Sequence, residues 1–73
     1  AKGQMMVAFK YASGKGVPKD YVYAHMWGNL AASNGNEQGG ILRDDFAKKM
    51  TSADISAAKK LARECVRKIY KGC

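Results

Sequence analysis

Two cysteines, one histidine, an adjacent pair of aspartates and a cluster of basic residues are the side chains here whose types could carry chemistry. Cys65 and Cys73 are the only cysteines. They form no CxxC, and His25 is far away in sequence, so a zinc set is not expected. On one continuous helix, residues eight apart lie about 12 Å apart along the axis, beyond disulfide reach. A bridge therefore requires the chain to turn back after Cys65, and Gly72 offers a place to do so. From position alone, a buried thiol at Cys65 and a bridge to Cys73 both stand. His25 has no Asp, Ser or Cys beside it to build a catalytic set, and its position predicts a surface role. Asp44 and Asp45 point to different sides of a helix and cannot act across a cleft as an acid/base pair. They are expected to pair with Lys48 and Lys49. Gly14-Lys15-Gly16 lacks both the preceding strand and the Gly-Lys-Ser/Thr ending of a phosphate loop. These observations argue against an enzyme and give no cofactor or metal site.

Charge offers a different chemistry. The 73-residue chain carries a net charge of +7, and from Lys48 onward eight Lys and Arg face only Asp54 and Glu64. Lys60, Arg63 and Arg67 share one side of a helical wheel and form a candidate anion-binding face for anionic polymers or membrane surfaces. The plainer reading of such a face is solvated surface. Tyr11, Tyr21, Tyr23 and Trp27 are read as packed core and not as a platform for stacked bases, so nucleic acid is not the expected partner.

These side chains must be positioned by helices, because no strand-like alternation is present. Ala1–Ala12 reads as a helix apolar on two sides, with Met5, Phe9 and Ala12 on one and Val7 and Tyr11 on the other. Ser13-Gly14-Lys15-Gly16 and Pro18 break it, and Asp20 caps the next. Tyr21–Ser33 carries Tyr23, Met26, Trp27 and Leu30 on one side. Ala24, Gly28 and Ala31 make a strip of small residues that lets another backbone approach, and His25, Asn29 and Ser33 fall on the polar side. Asn34-Gly35 ends this helix and Asn36 caps a third over Glu37–Met50, whose start is expected to fray at Gly39-Gly40. Thr51-Ser52-Ala53-Asp54 resembles a capping box. It opens a fourth helix with Ile55, Ala58, Leu61, Ala62, Cys65, Val66 and Ile69 on its apolar stripe. The fold class is all-α, with about four helices.

The set Tyr11, Gly14, Gly16, Val17, Pro18, Asp20, Tyr21, Ala24, Trp27, Ala31, Ala32 and Gly35 resembles a Sel-1-like repeat, a relative of the tetratricopeptide repeat. The likeness covers residues 1–36, about half the chain. Two positions depart from the family pattern, Ala8 in place of Gly and Gly28 in place of an aromatic. Residues 37–73 resemble the helical cap that follows the last such repeat in bacterial proteins, and Glu64 through Cys73 is similar to an ending of exported members. The resemblance implies an α/α hairpin closed by a C-terminal cap. It also implies a protein-binding scaffold or adaptor without catalysis, and a Cys65–Cys73 bridge. A bridge implies the periplasm or the exterior of the cell, with the cytoplasm as the alternative compartment. One two-helix repeat cannot bury its own faces, so upstream repeats or a homodimer are expected to cover the first helix. Ala1-Lys2-Gly3-Gln4 lacks the layout of an export signal, which fits a cytosolic chain or one whose leader and upstream sequence were removed. No apolar run approaches the ~20 residues of a membrane-spanning helix.

Overall fold

The computed structural model describes residues 2–71 and Cys73, and among them there are four helices and no strand. They are α1 (Lys2–Ser13), α2 (Tyr21–Ser33), α3 (Glu37–Ala47) and α4 (Ser52–Arg67). None is long and apolar enough to cross a membrane.

Local chemistry sets the helix starts. The Asp20 carboxylate accepts from the amides of Val22 and Tyr23 at 2.9 and 3.4 Å, and Asn36 caps α3 through Gln38 and Gly39. These bonds satisfy amides that have no partner inside the helix. At α4 the box is reciprocal. The Asp54 amide donates to the Thr51 hydroxyl at 3.1 Å, and the Thr51 amide donates to the Asp54 carboxylate at 3.3 Å. The same cap explains why α3 stops at Ala47 instead of running to Met50. Thr51 must be extended to cap α4, so Lys48, Lys49 and Met50 tighten into i−3 hydrogen bonds and leave the helix.

Two helix ends close in the same way with different residues. At the end of α2, Asn36 N–H donates to Ala31 and Gly35 N–H to Ala32, with Gly35 left-handed at φ 94°. This is a Schellman closure, and glycine suits it because it has no Cβ to clash. At the end of α4, Tyr70 N–H donates to Cys65 at 2.8 Å and Ile69 N–H to Val66 at 3.0 Å. The left-handed residues are now Ile69 at φ 54° and Tyr70 at φ 61°. For residues with a Cβ this geometry costs about 1–2 kcal/mol each. Cys65 and Cys73 are disulfide-bonded with Cα atoms 5.7 Å apart, so the turned end is held covalently. The chain therefore reverses at Ile69 and Tyr70. The expected reversal at Gly72 lies outside the described residues.

Helix α2 is the centre, packing against each of α1, α3 and α4. On one side Met26 and Leu30 meet Ala62 and Cys65 of α4, with Tyr23, Leu61 and Cys73 against them. On the other, Ala8, Ala24 and Phe46 gather Tyr11, Ala12, Tyr21, Leu42 and Met50. Trp27 touches both clusters. It is half-buried, as is Tyr23, and joins the two clusters, where both were expected in the packed core. Its indole N–H is buried without a partner.

The strip of small residues on α2 receives α3. A Cβ on Gly39 would lie 2.7 Å from the Ala31 Cβ and 2.8 Å from the Gly28 carbonyl oxygen. Gly39 thus marks a close approach of two backbones, where fraying was expected. With these contacts the accessible surface is 4646 Å², close to the roughly 4,400 Å² typical of a free-standing monomer of this mass.

Candidate functional site

The lone histidine is not on the surface. His25 is only 2% exposed and its Nδ1 is buried without a hydrogen-bond partner. The polar side of α2 is covered by α3 and α4. His25 and Asn29 line a cleft of about 350 Å³ with Arg43, Asp44, Ala47, Ile55 and Lys59. Burial holds the imidazole below its ordinary pKa of 6.5. The cationic Arg43 and Lys59 push the same way, and Asp44 opposes them. Arg43 is committed elsewhere, since its Nη1 donates to the Asn29 side chain at 2.8 Å and its Nε to Asp44 at 3.1 Å. Asp44 therefore pairs with Arg43 and not with Lys48. Asp45 pairs with Lys48 at 3.7 Å, three residues on, where spacings of four were expected. Among the described residues no group of three His, Cys, Asp or Glu side chains could hold a metal ion.

The repeat-like residues build the α1–α2 hairpin and its exit. The Tyr11 ring stacks on Tyr23, with centroids 5.3 Å apart, and the Tyr11 carbonyl accepts from the Asp20 amide at 2.9 Å. Gly14 and Gly16 are left-handed in the turn between them, at φ 75° and 77°. Ala24 and Ala31 are fully buried, and Ala32 is half-buried against α3. Tyr21 takes two lysines over its ring, Lys19 at 5.1 Å and Lys49 at 5.7 Å. The hydrogen bond to Lys19 and the charges of both lysines lower its phenol pKa, against a smaller opposing effect of burial. These residues cap, turn and pack, and they leave the outer surfaces to other side chains.

Three outer surfaces stand out. On α1, Met6 and Phe9 are 55% and 48% exposed and line a groove of about 400 Å³ with Lys10, Ser13 and Lys15. The buried side of α1 is instead made by Ala8, with Tyr11 and Ala12. Phe9 shares a side with Ala12, as the helical wheel grouped them, but stands at its exposed edge while Ala12 is half-buried. On α4, the structure brings Lys60, Arg63 and Arg67 to one notch of about 370 Å³, but Glu64 lines it too and offsets part of their charge. The third surface, at the disulfide-closed end of α4, was missed by sequence reasoning. Val66 and Ile69 were assigned to the buried stripe, yet they are 49% and 75% exposed. The tail packs through Cys73 onto the Met26–Leu30 cluster and leaves Ile69 uncovered. A β-branched residue next to cations at a helix end was the available signal.

Together these features define a small all-α domain with outward apolar and cationic surfaces. Comparison of the chain with protein-family models, curated proteins and solved structures gave no match.

Proposed function

We propose that the chain is a non-catalytic protein-interaction module, a Sel-1-like α/α hairpin over residues 1–36 with a helical cap over 37–73. It acts as a scaffold or adaptor in the periplasm or outside the cell. The observation that carries this reading is the outward face of α1. Met6 and Phe9 stand exposed around a groove, while α4 packs on α2 and leaves that face open. Contiguous exposed apolar surface of this kind marks protein contacts. In a stacked repeat array this is the side on which the preceding repeat would sit, and in isolation a second copy of the chain can occupy it. The bonded Cys65–Cys73 pair supports the compartment, since such bridges persist outside the reducing cytosol.

Sedimentation equilibrium of the oxidised chain tests the reading. Self-association that is lost in the Met6→Lys, Phe9→Lys double variant, with helix content retained, is the expected result. A chain that stays monomeric up to its solubility limit would overturn it.

A further inference from the structure

The end of α4 combines three features. Ile69 is 75% exposed in a left-handed backbone conformation that a β-branched side chain disfavours. Tyr70 beside it is tied down, its hydroxyl accepting from the Asn34 side-chain amide at 3.2 Å. The Cys65–Cys73 bridge closes the segment, so the exposed isoleucine is held on a fixed turn and not on a fraying tail. Strain of this sort is characteristic of binding sites, where the surrounding structure over-determines the backbone. The sequence between the cysteines supplies Arg67, Lys68 and Lys71 and no carboxylate. All three cations are exposed and lie within a few residues of Ile69.

We propose that this disulfide-closed end is a docking surface for an anionic lipid bilayer, with Ile69 entering the headgroup layer and Arg67, Lys68 and Lys71 contacting lipid phosphates around it. A polyanion such as nucleic acid rewards cations and free aromatic faces, whereas the more exposed side chain here is the aliphatic Ile69, and Tyr70, 41% exposed, has its hydroxyl bonded to Asn34. A bilayer surface rewards both the cations and the apolar tip, and stable attachment to it takes two weak signals acting together. The fixed turn has its ordering cost already met by the closure, which is what preorganisation contributes to binding. This surface is separate from the α1 groove, and its test is independent of the one given for that groove.

Vesicle co-sedimentation of the oxidised full chain at low ionic strength tests the proposal, using phosphatidylglycerol and phosphatidylcholine in equal parts against phosphatidylcholine alone. The chain should sediment with the anionic vesicles only. Ile69→Gly places glycine where the left-handed backbone favours it, so the variant folds at least as stably as the parent. It should nonetheless partition about tenfold more weakly. Lys68→Gln with Lys71→Gln should cost about fivefold for each cation removed. Absence of binding to the anionic vesicles would overturn the proposal. So would an Ile69→Gly variant that binds as the parent does, or tighter binding to a single-stranded oligonucleotide than to vesicles.

Discussion

Replacing Gly39 by alanine should destabilise the molecule, while the same change one residue later should not. Both glycines lie in the first half of α3, and alanine at either position gains up to about 1 kcal/mol of helix propensity. The surroundings differ. At position 39 the new methyl would stand 2.7 Å from the Ala31 Cβ, 2.8 Å from the Gly28 oxygen and 3.0 Å from the Ala32 nitrogen. Two of those atoms are backbone, so relief requires α2 and α3 to separate along their contact. Overpacking of this kind costs about 1–3 kcal/mol. At position 40 the nearest atoms are the Ala32 Cβ and the Arg43 side chain, both at 3.6 Å, which is ordinary contact. Gly39→Ala should therefore lose up to about 2 kcal/mol, the overpacking cost less the propensity gain, and Gly40→Ala should gain up to about 1. The propensity gain is common to both, so the variants differ by the overpacking cost of about 1–3 kcal/mol; at roughly 4–8 °C per kcal/mol for a domain of this size, the two melting temperatures should differ by roughly 4–24 °C. Thermal unfolding by circular dichroism, at one protein concentration for both variants, measures the gap. Equal shifts, or a more stable Gly39→Ala, would refute the close approach of the two backbones.

Two further outcomes follow from the buried histidine and the bridge. Because the folded state holds His25 below its ordinary pKa, the unfolded chain binds the proton more readily. That contribution to stability is complete above about pH 6.5 and is lost as pH falls from there through the lower folded value. The urea midpoint should drop between about pH 7.5 and 5, and His25→Leu should flatten the drop; a parent midpoint constant across that window would contradict the burial. Thiol titration of the untreated, denatured chain should find no free thiol, and reduction should lower the unfolding free energy by about 2–3 kcal/mol. Two free thiols would remove both the bridge and the argument for an oxidising compartment.

What could be read in the sequence was the chemistry that is local. Asp20, Asn36 and Thr51 cap their helices because the bonds they make reach only two or three residues ahead. The four helices follow from those caps and from the glycine turns. His25 was misplaced because a helical wheel assigns one wet side to each helix, and α2 has partners on several sides. Gly39 appeared only as a weak helix former, since the α2 backbone that requires it is distant in sequence. Ile69 continues the periodicity of the α4 stripe, but the chain has left the helix at Arg67 and the period no longer says where the side chain lies. The α1 groove was half legible. An uncovered apolar face was expected, and Phe9 is on it, but its exposed neighbour is Met6, which neither of the two expected apolar sides contained.

The central position of α2 makes the stability of the molecule radial. Six of the residues of α2 are buried, from Ala24 to Ala31, while α1 contributes Ala8 to the cluster around Ala24 and Phe46 and nothing to the other. Detaching α1 would uncover Ala24 but leave Met26, Leu30, Ala62 and Cys65 packed together and the bridge closed. Opening is therefore expected to be graded, with α1 leaving before α2. Amide exchange in α1 should outpace that in α2 under native conditions. The helix whose outer face is proposed to take a partner is thus also one that can lift without opening the bridged core, so a partner that grips Met6 and Phe9 should slow that opening.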